Sequence, residues 1–250
     1  MLSIQSMTTK ILTNKKHFLF IVGLFFLVPG LINPVWAGDK DNPLLTKVII
    51  DQLEVRTADS SNSNVLAAQA WLGKDINKLW FKADIQRDES ETQEAELQVL
   101  FSRAVAPYWD FQLGLRQDAK PSPSRSWAVI GFQGLAPYFF EVDGALLIGE
   151  SGRTAFQLSV EYELLLTQRL ILTPELDVNL YGQNDIDLGI GSGLADLEAG
   201  LRLRYQICRE FAPYIGVNWH KSFGNTADFA RSAGQDVNDM QWVVGLRGWF

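Results

Sequence analysis

The amino-acid sequence predicts an all-β protein of one kind, a transmembrane antiparallel up-and-down β-barrel of about 12 strands. Three observations carry this. Apolar and polar residues alternate with period two over segments of about ten residues, as membrane-crossing strands require. The links between segments alternate in character. The chain opens on a leader-like segment and finishes on an apolar strand.

The first 37 residues hold Lys10, Lys15 and Lys16 and no acidic residue, then an apolar run from Phe18 to Val28, then Val35-Trp36-Ala37. A basic region, an apolar region and a small-residue cleavage site in that order predict a signal peptide over 1–37. The competing reading is a membrane anchor, for which the run is short against the roughly 20 residues a spanning helix needs. Residues 38–46 are then a short periplasmic segment, and 47–250 form the barrel. Taking three lysines from the 22 basic residues leaves 19 against 29 acidic ones, a formal charge of −10 after the leader. So acidic a chain is not a nucleic-acid binder, which selects for basic patches. Cys208 stands alone, so no intrachain disulfide forms. No second apolar run reaches helical spanning length, so a crossing of the bilayer has to be made by strands.

Twelve segments carry the alternation: 47–56, 65–74, 78–87, 92–103, 107–117, 125–134, 137–148, 153–164, 169–181, 194–207, 211–222 and 240–250. In the tenth, Asp196, Glu198, Gly200, Arg202 and Arg204 share one face while Leu197, Ala199, Leu201 and Leu203 share the other. In the ninth, Thr173, Glu175, Asp177 and Asn179 oppose Leu172, Leu176, Val178 and Leu180. Charged residues on a lipid face are costly, so the polar face must line a wet interior. A half-exposed strand of a soluble sheet alternates too; persistence over spanning lengths favours the membrane. The first two segments alternate poorly, which leaves ten as the other count. Links from odd to even segments are the longer and more polar, and links from even to odd are a few residues, matching outer loops and periplasmic turns respectively.

Ala106-Pro107-Tyr108, Ala136-Pro137-Tyr138 and Ala212-Pro213-Tyr214 each open an odd-numbered segment. Proline suits a strand's first residue because it has no N–H to give to the ladder. The tyrosines are expected at headgroup level in an aromatic girdle. At the other end of the chain Trp242, Val244, Leu246, Gly248 and Phe250 share one face. An apolar edge of this kind invites aggregation unless closure removes it.

Several stretches in order resemble the copper resistance protein B family of Gram-negative outer membranes. Among them are LWFKA at Leu79–Ala83, SRAVAPYWD at Ser102–Asp110, WAVIGFQGLAPY at Trp127–Tyr138, GESGRT at Gly149–Thr154, EYELLLTQRLIL at Glu161–Leu172, GIGSGL at Gly189–Leu194 and GNTAD at Gly224–Asp228. The resemblance covers about residues 78–250. It implies a non-enzymatic outer-membrane protein of copper homeostasis that binds copper ions or moves them across the outer membrane. Its implied partners are outer-membrane lipid, copper ions and a periplasmic copper protein. Family members often carry a Met- and His-rich segment before the barrel. Here, after residue 37, Met240 is the only methionine and His220 the only histidine.

Metal-binding side chains then have to come from the inward face. Pairing the segments through their turns places Asp177 opposite Glu198 and Glu198 opposite His220. Two carboxylates and an imidazole in one row suit a divalent cation such as Cu(II) or Zn(II). The plainer reading is a polar interior with a satisfied histidine. Glu141 and Glu161, expected opposite each other near the periplasmic end, form a secondary acidic site. Glu163 is expected to face Arg169. Two further functions stay open: a small passive porin, and an outer-membrane hydrolase using His220 with Ser222. The Gly189-Ile190-Gly191 run lacks the strand-to-helix setting of a nucleotide loop and reads as a flexible outer loop.

Overall fold

The computed structural model describes residues 43–58, 62–88 and 91–250. The signal peptide expected at 1–37 lies outside them, as do residues 38–42. The strands are β1 (Leu45–Thr57), β2 (Asn62–Gly73), β3 (Asn77–Asp88), β4 (Glu91–Ala106), β5 (Trp109–Lys120), β6 (Arg125–Ala136), β7 (Phe140–Gly149), β8 (Thr154–Glu161), β9 (Leu164–Leu165), β10 (Leu170–Tyr181), β11 (Gly193–Tyr205), β12 (Phe211–Ser222) and β13 (Asn238–Trp249). The two residues of β9 continue β8 along the same edge of β10, so the wall has twelve staves. Each stave pairs antiparallel with its neighbours in chain order, and β13 returns to β1 to close the ring. The seam is sealed at its end by Phe250, whose N–H donates to the Val48 carbonyl at 2.8 Å and whose carbonyl accepts from Val48 N–H at 3.0 Å. Closure satisfies every edge, as hydrocarbon surroundings demand. No helix among the described residues is long and apolar enough to cross a membrane.

Period-two alternation now has a physical meaning. Leu97, Val99 and Phe101 of β4, Leu113 and Leu115 of β5, and Trp242 and Val244 of β13 face outward and are exposed. Their inward neighbours fill the lumen. On the β3–β8 side Trp80, Leu100, Trp127, Val129, Leu147 and Ala155 form one buried apolar cluster, beside ion pairs of Arg116 with Glu96 and Asp118 and of Lys82 with Asp143. Around β10–β13 and β1 the filling is ionic. A cavity of about 950 Å³ runs between the two.

The first two A-P-Y copies and the third differ. Tyr108 and Tyr138 stand at turn tips with φ +67°, 77% and 82% exposed, where the girdle was expected. Tyr214 is 4% exposed and points into the lumen. Its copy starts one residue after β12 has begun, so its tyrosine inherits the inward parity of the strand instead of turn geometry. The outer links are also less uniform than expected. Those after β1, β3, β5 and β7 are short, and two carry nearly all the outer chain: residues 182–192, and residues 223–237 containing helix α1 (Gly224–Ser232).

Candidate functional site: the barrel lumen

The backbone register fixes which inward side chains can meet. Asp177 is paired with Glu198, and Glu198 with His220. Near its outer end the β10–β11 ladder shifts by one between Asn179 and Leu180, so Tyr181 meets Gly193 and not Leu194. His220 is paired in turn with Asp239 of β13, a fourth member of the row that the sequence reading missed. Beneath it lie Glu175, Gly200, Asn218 and Gln241. Directly opposed Cβ atoms in such rows are about 4.5–5.5 Å apart. The side chains themselves do not converge: among the described residues no three His, Cys, Asp or Glu groups are placed to hold a metal ion. Glu198 instead accepts from Arg56 Nη1 at 2.8 Å.

The outer half of the lumen is rich in carboxylates. Asp84, Glu94, Glu96, Asp118, Asp177, Asp196 and Glu198 all line it. Of the cations there, Arg116 binds Glu96 and Asp118, each at 2.6 Å, and Arg56 binds Glu54 and Glu198. Lys120 sits exposed at the rim. Among the described residues Asp84, Glu94, Asp177 and Asp196 have no Lys or Arg within ion-pair distance; Asp196 accepts the amide of Asn179, at 2.7 Å.

The waist is crossed by ion pairs that narrow the cavity. Glu54, with no accessible side-chain surface, accepts from Arg56 Nε at 2.6 Å, Arg202 Nη2 at 3.1 Å and the Tyr214 hydroxyl at 2.9 Å. Arg202 also bonds Glu175, to which the Gln52 amide donates at 3.2 Å. Below the waist Arg247 gathers Glu161 at 2.9 Å, Asp51 at 3.6 Å and Glu163 at 3.7 Å. Glu141 is paired in register with Glu161, as the sequence reading expected, and Arg247 stands against that row. Glu163 turns to Arg204, not to Arg169, because β8 and β9 share one register with β10, which keeps Glu163 level with Thr173 while Arg169 is left exposed in the turn. Lys82 reaches across from β3 to Asp143 of β7 at 2.6 Å.

At the outer mouth Asp185 is buried and accepts from Arg125 Nε at 3.0 Å and Arg125 Nη2 at 3.1 Å, with Arg153 Nε in ion-pair contact at 3.1 Å. Burial acts to raise its carboxyl, but the hydrogen bonds and charge of Arg125, with the charge of Arg153, outweigh it and hold the group below its ordinary value. Sequence reading missed Glu54, Arg56 and Asp185. The E-V-R alternation at Glu54–Arg56 was a usable signal; a β-bulge between Ile50 and Leu53 blurred the segment around it.

A closed strand ring, a lipid-facing apolar surface and an ion-paired lumen define an outer-membrane β-barrel with a narrow, charged interior. The sequence profile described as "Copper resistance protein B precursor (CopB)" matches residues 44–250. The chain is 44% identical over 210 residues to Copper resistance protein B of Escherichia coli, covering 84% of this chain and 71% of that one. It is 43% identical, with the same coverage, to the Copper resistance protein B homolog of Pseudomonas syringae pv. tomato. The chain therefore belongs to the copper resistance protein B family. That family is not one of enzymes, which removes the hydrolase alternative. Among solved structures the NanC porin shares the barrel, with a TM-score of 0.54 at 12% identity, over 82% of this chain and 99% of that one.

Proposed function

We propose that the protein serves copper resistance at the outer membrane by binding cupric ions in the outer half of its lumen and passing them along the ionic wall of the barrel. The carrying observation is the surplus of carboxylates there, four of them without a cationic partner. A cleft of one sign between low-dielectric walls concentrates the opposite charge. Asp177, Glu198 and His220, with Asp239 beside them, are the residues assigned to the first ion station. Glu141 and Glu161 are assigned to a second one near the periplasmic end.

The donor set favours Cu(II) over Cu(I). Carboxylate and imidazole suit the harder ion, and thiolate or thioether the softer. No Met or Cys lines the lumen among the described residues, and Met240 faces outward, 64% exposed. The partner this reading requires at the inner mouth is a periplasmic copper-carrying protein. A passive small-solute porin is the other reading; the ion pairs of Glu54, Arg56, Arg202 and Glu175 across the waist speak against it, since they narrow the bore that such a pore needs.

The test is Cu(II) binding and flux by the full protein in lipid vesicles, compared with an Asp177→Asn/Glu198→Gln/His220→Ala triple variant. Binding at the outer station should weaken by about tenfold or more. Unchanged Cu(II) binding in a folded triple variant eliminates the station, and flux indifferent to copper supports the porin.

A further inference from the structure

Two outer links carry a feature that copper handling leaves unexplained. Residues 182–192, between β10 and β11, do not stand away from the barrel. Their polypeptide turns back on itself, with Asp185 and Ile190 exchanging backbone hydrogen bonds at 2.8 and 3.0 Å. Leu188 and Ile190 drop into the lumen and line the same cavity as Asp84, Glu94 and Asp196. Apolar side chains placed over an acid-lined opening keep water and ions out.

The segment is fastened at both ends. Toward β6 and β8 the fastening is Asp185, held by Arg125 at the outer end of β6 and by Arg153 just before β8. Toward β12 it is helix α1. Gly191 N–H donates to Thr226 Oγ1 at 2.8 Å, and Asn225 Nδ2 donates to Asn184 Oδ1 at 3.2 Å. Gly191 is required for that approach, because a Cβ there would lie 2.4 Å from the backbone nitrogen of Thr226. In the strand order β6 and β12 stand nearly half the circumference apart. Helix α1 packs mainly on β11, so a segment tied to β6 at one end and to that helix at the other reaches inward over the mouth.

We propose that residues 182–192 are the outer gate of the lumen, a strap held shut by the Asp185 clamp on one side and by helix α1 on the other. The gate controls access to the acidic half from outside. This goes beyond the copper reading and does not need it, because a strap across the mouth excludes any hydrated solute. Gate opening is the release of one anchor, the other acting as hinge.

Through-conductance alone would confuse the gate with the ion-paired waist, so the test reads the outer half directly. In the full protein carrying Cys208→Ser, Val65→Cys places one thiol in the lumen wall at the floor of the outer half; Val65 lines the cavity and is paired with Glu54 of the waist. The rate at which a cationic methanethiosulfonate labels it from outside reports access. Asp185→Asn removes the clamp's charge, and Gly191→Ala wedges the strap from helix α1 at the opposite anchor. Each is expected to speed labelling by about tenfold, the size expected for losing charge-assisted hydrogen bonds from a two-state element. Heat-modifiable gel mobility shows that each variant is a folded barrel. Unchanged labelling in folded Asp185→Asn overturns the gate, and unchanged labelling in folded Gly191→Ala overturns its second anchor. Because labelling involves no copper, failure of the copper station leaves this result standing, and the reverse holds as well.

Discussion

Replacing Glu54 by glutamine removes one negative charge from a point where two guanidiniums and a phenol meet. The carboxylate has no accessible surface, and its two oxygens take Arg56 Nε at 2.6 Å, Arg202 Nη2 at 3.1 Å, Arg202 Nε at 3.2 Å and the Tyr214 hydroxyl at 2.9 Å. Breaking a buried pair from one side typically costs about 3–5 kcal/mol, because the partner charge is left uncompensated. Here both partners keep a second carboxylate, Glu198 for Arg56 and Glu175 for Arg202. Glutamine also keeps one acceptor oxygen. These two compensations bring the expected loss to the lower end, about 3 kcal/mol. Tyr214→Phe deletes a single bond to a charged acceptor and should lose about 1.5–2 kcal/mol. Asp228→Ala breaks an exposed pair with Arg231 in helix α1 and should lose about 0.5 kcal/mol or less. Urea unfolding of the three variants in detergent or lipid, followed by tryptophan fluorescence and gel mobility, gives the ordering. A Glu54→Gln loss no larger than that of Asp228→Ala would refute the idea that the waist is a tight ionic plug.

Gly114→Val should prevent or strongly weaken barrel closure, with a loss of about 3 kcal/mol or more. A Cβ at Gly114 would lie 2.0 Å from the carbonyl oxygen of Val99 and 2.8 Å from Leu100 Cα, atoms that cannot yield without parting β4 from β5; a variant with wild-type gel mobility and stability would refute this. The strap should stay shut through neutral and mildly acid pH. Asp185 faces Arg125 from β6, Arg153 and Glu150 from the β7–β8 link, and Asp187 from its own segment. A carboxyl held below its ordinary 3.8 keeps its contribution above that value and loses it only as pH falls through the depressed one. Labelling of Val65→Cys should therefore be flat from about pH 8 to pH 5 and quicken only at stronger acidity, and a rise near pH 6 would point to another group.

The wall of the barrel was legible because lipid on one side and ions on the other force a two-residue period. Even the first segment, which alternates poorly, is a strand; a β-bulge at Ile50–Leu53 throws two successive residues, Asp51 and Gln52, toward the cavity. The Glu198–His220 pair could be placed because β11 and β12 are joined by a short link that sets their register, whereas Asp177 meets Glu198 across the long 182–192 link, in a ladder that shifts by one nearer its outer end. Contacts across the lumen could not. Glu54 meets Arg202 and Tyr214 at sequence separations of 148 and 160, through closure of the ring, and no local pattern encodes that meeting. The third A-P-Y copy misled for a related reason, since its parity depends on where β12 starts. The strap looked like a glycine-rich flexible loop. Its glycines instead allow tight turning, Gly189 with φ +69°, and close approach at Gly191.

Two ways of filling one lumen differ in what they permit. Trp80, Leu100, Trp127, Val129 and Leu147 fill part of the β3–β8 side as an ordinary close-packed core. The opposite side is filled by carboxylates and guanidiniums, although apolar residues of similar volume would hold it as well or better. An ionic filling can change partners while keeping its charges compensated. From the outer half inward, Glu198 binds Arg56, Arg56 binds Glu54, Glu54 binds Arg202, and Arg202 binds Glu175. Acid and base alternate along this line. On the proposed reading, a divalent cation reaching Glu198 would compete with Arg56 for a carboxylate already in place, and the ion station would form as the guanidinium leaves.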